Sequence, residues 1–196
     1  MVIAYHCTFT TYGFWLSNDS RGSWSDFVRS FDLYLTGAAT KTDETRSLAK
    51  RALDRTQRAE ARAALKYPVV RFNRAQIECI ARGLARAVEE SDYVLLSCAI
   101  LWDHVHLVVA RHPGRTIERI IGHLKTRATQ QLTSEGLNPM AQFVRQDGRY
   151  PSVWVQHGWN VFLNDREGIE RAILYDEQNP EKMGLPRQRW LFVARR

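Results

Sequence analysis

Two histidines, His104 and His106, stand two residues apart in the run Trp-Asp-His-Val-His-Leu-Val-Val that closes at Val109. On a β-strand that spacing turns both imidazoles to one face and sends Val105 and Leu107 to the other. Imidazoles a few ångströms apart suit a divalent cation. The same pair can instead be held by hydrogen bonds within a core. One kind of partner or the other is required, because a buried unpaired polar group costs about 1–3 kcal/mol. A second candidate group is Tyr175-Asp-Glu-Gln-Asn179-Pro180. On a helix, Tyr175 and Asn179 lie one turn apart, on one flank of the apolar stripe Ile169, Ala172 and Ile173. There the phenol can present its hydroxyl at a sheet edge, and the Asn179 amide oxygen can complete a metal site. Alternatively, Tyr175 packs as an amphipathic side chain and Asn179 caps the helix ahead of Pro180.

The elements that would carry these groups can be read from hydrophobic periodicity. Residues 2–12 are rich in aromatic and β-branched types and predict a strand. Residues 13–24, with Gly, Ser, Asn and Asp, predict a loop, and residues 25–42 give no clear period. Residues 43–65 predict a charged helix with a thin apolar stripe, on which Arg46, Lys50, Arg58 and Arg62 would share one face. Asn73 caps a helix reaching about residue 90, with Gln76 in capping-box position. Strands follow over 93–100 and 104–109. Thr116 opens a helix with Ile117, Ile120, Ile121, Leu124, Ala128 and Leu132 facing inward. Residues 152–156 and 159–163 look extended. Asn164 or Asp165 caps a last helix to about Gln178, and residues 190–193 form a final strand or dock the tail. With the insertion set aside, the order is βαββαβ. That predicts an α+β fold: a ferredoxin-like antiparallel sheet with helices packed on one face and a helical insertion after the first strand. We expect one domain over 1–196, with a charged insertion at about 25–66.

Composition narrows the function classes. The chain has 196 residues, 44% of them hydrophobic, enough for a packed core. No run approaches the roughly 18 apolar residues of a membrane span, and the first residues lack a signal-peptide pattern, so a cytoplasmic protein that does not engage membranes is expected. Three cysteines without a CxxC pair argue against a disulfide framework or structural zinc. Cys7 and Cys98 lie in apolar runs, as core thiols do. A net charge of +7 favours a polyanionic partner, nucleic acid first. Lys125, Arg127 and Arg21 are candidate phosphate contacts. Trp15, Trp24, Trp154 and Trp159 are candidate stacking surfaces for unpaired bases, of which at most two are expected to be used.

Taken in order, these pieces resemble the HUH single-tyrosine transposases, and among them the REP-associated tyrosine transposases. The resemblance rests on Trp-Asp-His104-Val-His106-Leu-Val-Val, on Thr10-Thr-Tyr-Gly-Phe-Trp-Leu followed by Asp19-Ser-Arg21-Gly22, and on Lys125. Val153-Trp154 with Gly158, and Tyr175-x-x-x-Asn179-Pro-x-Lys182-x-Gly184-Leu, complete it. It implies a DNA endonuclease and strand transferase with Tyr175 as nucleophile and a 5′-phosphotyrosine intermediate. It also implies Mg²⁺ or Mn²⁺ on His104, His106 and Asn179, with Gln178 as the alternative third ligand. The implied substrate is single-stranded or hairpin DNA, handled by a monomer or homodimer. The main rival is a non-catalytic module of ferredoxin-like fold that binds single-stranded or hairpin nucleic acid. A hydrolase using the His pair without a covalent step is another.

Overall fold

The computed structural model of the chain describes residues 1–43, 48, 51–156 and 158–194. They divide into two compact units, one of Met1–Thr11 with Arg71–Arg196 and one of Tyr12–Val70.

In the first unit, β1 (Ala4–Thr10), β2 (Leu95–Ile100), β3 (His104–Ala110) and β4 (Trp159–Leu163) form one antiparallel sheet in the order β2-β3-β1-β4. The α+β architecture is the one the sequence predicts. Side chains alternate across the pleat, so Ala4, His6, Thr8 and Thr10 share a face with Ala110, Val108, His106 and His104, their opposite numbers in β3. Cys7 and Phe9 share the other face with Leu107 and Val105.

That second face meets the helices that the chain numbers α3 (Arg74–Ser91) and α4 (Ile117–Ser134), after the two short helices of the other unit, α1 (Phe31–Tyr34) and α2 (Arg55–Ala63). Phe9 packs edge-on against Trp154, whose indole N–H donates to Thr129 of α4. The α3 start is the expected capping box, with Asn73 and Gln76 bonding each other's backbone amides. All six apolar positions expected to face inward from α4 are buried.

The last helix, α5 (Arg166–Lys182), lies on the opposite face, so the helices do not all share one side as expected. Ala172 and Ile173 pack with Ala4, Val108 and Leu163, and Leu96 and Ile169 cover the edge of that cluster. This is the face that carries the histidines. The helix also runs past Pro180, where the sequence predicted an end. Proline removes one amide donor, yet the Leu185 amide bonds the Pro180 carbonyl and the Gly184 amide bonds the Glu181 carbonyl. With Gly184 at φ 72, this left-handed cap closes the helix one turn later. Residues 152–156 make only an isolated bridge, Trp154 to Thr11, and the tail docks on β2 through Val193 and Leu95.

In the second unit the expected helix over 43–65 is shorter. Asp54 caps α2 by accepting from the Gln57 amide, and residues 51–54 ahead of it are not helical. Residues 44–47, 49 and 50, including Arg46 and Lys50, lie outside the described residues. The unit's core is Leu16, Leu33 and Ala61, with Val28 and Leu65 packed against it.

Two glycines give opposite tests of the helix pair in the first unit. A Cβ on Gly83 of α3 would meet Ala128 Cα and the Arg127 carbonyl oxygen of α4, each at 2.7 Å. Gly83→Ala should therefore destabilise the chain by about 1–3 kcal/mol. Gly122, exposed in α4, has nothing within 4 Å of an added Cβ, and Gly122→Ala should stabilise by up to about 1 kcal/mol. Urea denaturation of both variants checks the pair, and equal effects would contradict this packing.

Candidate active site

The site lies where β1, β3 and α5 meet. Antiparallel register sets Thr8 opposite His106 and Thr10 opposite His104. His6, one pleat further along β1, brings its ring centroid within 5.7 Å of that of His106. The rings of His104 and His106 are 4.7 Å apart. Each ring has a fixed neighbour. His104 Nδ1 is 2.7 Å from Asp103 Oδ1, His106 Nδ1 is 2.8 Å from Thr8 Oγ1, and His6 Nε2 is 2.9 Å from Asp176 Oδ1. Burial holds the His106 imidazole well below its ordinary pKa, and the neighbouring charges of His104 and His6 push the same way. At neutral pH the ring is therefore uncharged, the form that ligates metals.

From α5, the sheet-facing stripe continues through Asp176 to Asn179, both buried. Asp176 is 1% exposed. Its second oxygen, Oδ2, accepts from the Ser97 hydroxyl of β2 at 2.6 Å. Ligand atoms of His6, His106 and Asp176 lie within 4.8 Å of one another and could hold a metal ion. The Asn179 amide nitrogen is buried without a hydrogen-bond partner. Amide oxygen and nitrogen are exchangeable assignments, so an oxygen placed there would suit a cation.

Tyr175, on the flank of the stripe, is 46% exposed. Its ring stands edge-on 5.4 Å from the His106 ring and 5.7 Å from the His6 ring. Lys182 Nζ lies 5.7 Å from the Tyr175 ring centroid. The structure thus brings Tyr175, His104 and His106 into one neighbourhood. Gln178 faces away, exposed and accepting from Lys182 Nζ.

The expected phosphate and base contacts are placed differently. Lys125 is buried, with Nζ donating to the carbonyls of Val155 and Gln156. It departs from the expected surface cation because it closes a loop against α4. Arg127 is partly exposed, bonded to Glu90 and Gln130. Arg21 and Trp15 belong to the other unit. There Arg21 is buried, pairs with both oxygens of Asp19, and lies 3.8 Å from the Trp15 ring centroid. Trp154 is core, wedged between Phe9 and Phe72. All three cysteines are free and buried.

Sequence reasoning missed His6, Asp176, Thr8 and Ser97. A signal existed for two of them. Asp176 occupies a position where the stripe of α5 calls for an apolar residue, and His6 sits in phase with Thr8 and Thr10, a polar row along β1.

No protein-family model and no curated protein matches the chain. Among solved structures it is similar to a REP-associated tyrosine transposase bound to a REP hairpin, with 10% identity and a TM-score of 0.48 over 94% of this chain and 70% of that one. It is also similar to a candidate transposase from Deinococcus radiodurans R1, with 13% identity and a TM-score of 0.40 over 90% of this chain and 92% of that one.

Lys125 offers a direct check of the burial described here, since desolvation lowers its amine to about 8. The sign follows from linkage. Below that pH both folded and unfolded chains carry the proton. Between about 8 and the ordinary lysine value near 10.4, only the unfolded chain does, so stability should rise with pH across that window. The Lys125 Cε resonance should titrate near pH 8 by NMR, and a midpoint near 10.4 would place the amine in open solvent.

Proposed function

We propose that the chain nicks and rejoins single-stranded or hairpin DNA, with Tyr175 as nucleophile and a divalent cation, Mn²⁺ or Mg²⁺, at the neighbouring histidines. The observation that carries this reading is the Tyr175 ring standing 5.4 Å from His106 and 5.7 Å from His6 on a half-exposed flank. Two imidazoles beside a half-exposed phenol are a setting for chemistry rather than for core packing. The family resemblance supplies His104, His106 and Asn179 as ligands, with Gln178 as the alternative. Burial favours Asn179 over Gln178, which is exposed.

A bound divalent cation would polarise a phosphate oxygen as a Lewis acid. The rest of the chemistry falls to the chain. The Tyr175 hydroxyl loses its proton and attacks phosphorus, and the bond from phosphorus to the 3′ oxygen breaks. The products are a 5′-phosphotyrosine and a 3′-hydroxyl, the latter taking up one proton. Attack by a 3′-hydroxyl on the phosphotyrosine reverses the step and releases the phenol. Bond energy is conserved in the covalent intermediate, so joining needs no nucleotide cofactor. Asp103 Oδ1 and Thr8 Oγ1, each against an Nδ1, hold the tilt of the His104 and His106 rings.

A labelled DNA hairpin with a single-stranded foot tests the reaction. The wild-type chain with Mn²⁺ should leave a protein–DNA adduct on a denaturing gel. Tyr175→Phe should reduce cleavage by at least about 10³-fold while hairpin affinity stays within about threefold, and EDTA should stop cleavage. Full nicking by Tyr175→Phe would remove the tyrosine from the reaction. Tight hairpin binding by the wild type without any adduct would favour the non-catalytic binding module.

A further inference from the structure

The ligand set that the resemblance supplies draws on β3 and the end of α5. A second set of ligand atoms converges beside it. We infer that the cation is seated on His6 of β1, His106 of β3 and Asp176 of α5, a site in which His106 alone is shared with the expected set. This deepens the site on which the proposed nicking reaction rests.

Three observations support it. First, the ligand atoms of these three residues lie within 4.8 Å of one another. Second, His6 Nε2 and Asp176 Oδ1 are 2.9 Å apart. Two ligands about 2.1 Å from one cation and at right angles are about 3.0 Å apart. An ion replacing the proton they share would thus meet both atoms with little backbone movement. Third, the outer partners are already in place. Thr8 Oγ1 holds Nδ1 of His106 and leaves Nε2 as its ligand atom, while Ser97 Oγ holds Oδ2 of Asp176 and leaves Oδ1. Oriented ligands backed by hydroxyl partners are the pattern of a metal site.

The donor set is two imidazoles and one carboxylate. It suits Zn²⁺, Mn²⁺, Fe²⁺ or Co²⁺ over Mg²⁺, which prefers oxygen ligands and retained water. Three protein ligands leave positions open for a phosphate oxygen and water, as in a catalytic rather than a structural site. The ligands come from three elements far apart in sequence. Metal binding should therefore tie α5, and Tyr175 with it, to the sheet.

The test uses the full chain, without DNA. With ¹⁵N-histidine labelling and assigned ring resonances, Zn²⁺ titration should saturate at one ion per chain. The Nε2 signals of both His6 and His106 should shift together. Competition with a chromophoric chelator should show Mg²⁺ binding at least about 100-fold more weakly than Mn²⁺. His6→Gln and Asp176→Asn should each weaken Zn²⁺ binding by at least about tenfold, with circular dichroism confirming the fold. His6 resonances unmoved at saturation, or no stoichiometric binding, would overturn the site, and the wild-type spectra decide this even if the variants fail to fold. Because no cleavage is measured, a chain that binds Zn²⁺ through His6 yet leaves DNA intact keeps this inference and loses the nicking reaction.

Discussion

A carboxyl group 1% exposed to solvent holds the histidine-bearing face of this protein together. Asp176 extends from α5 to His6 of the central strand β1 and to Ser97 of the edge strand β2. A hydrogen bond to a charged group contributes about 1.5–3 kcal/mol, and a buried carboxyl left without partners costs a comparable amount. The helix therefore has a strongly preferred rotation about its axis. Ala172 and Ile173 provide the apolar adhesion, and Asp176 provides the angle. Tyr175 is the next residue along the chain, so the angle that buries Asp176 also leaves the phenol half out of the sheet, against the imidazoles.

The histidines have their own reason for converging. Antiparallel pairing of β1 with β3 puts Thr8 opposite His106 and Thr10 opposite His104. His104 and His106 thus have polar neighbours in the adjacent strand, whereas His6, set opposite Val108, finds its polar partner in Asp176 of α5. The opposite face carries no histidine. Phe9 lies there with Lys125 of α4 over its ring, and α3 and α4 approach each other closely enough that Gly83 has no room for a Cβ. One face of the sheet is apolar, and the other carries the histidines.

The second unit follows another logic. Its hydrophobic core is small, and polar anchors do much of the organising. The Arg21 guanidinium pairs with both oxygens of Asp19 and covers the Trp15 ring. Asn18 donates to the Leu33 carbonyl and the Thr36 hydroxyl, and Gln57 of α2 donates to the Asn18 carbonyl. Arg21 and Trp15, expected as contacts for a polyanion, here act as parts of an internal scaffold. A buried, paired cation has given up the solvation and freedom that a phosphate contact would use.

The sequence by itself determined the elements and which residue types each would present. Period-2 and period-3.6 patterns located the four strands, α3, α4 and α5, and the capping box at Asn73. They also turned His104 and His106 to one face, because strand geometry follows from local dihedrals alone. The misplacements were local too: Pro180 read as a stop where a left-handed cap at Gly184 lets the helix continue, and residues 51–54 read as helix. Only the tertiary structure decided which strand lies beside which, in what register, and which side of the sheet α5 would take. That is why His6 and Asp176, 170 positions apart in the chain, were absent from the expected ligand set. Their partnership depends on a non-local register and a helix rotation, and no periodicity within either segment encodes them.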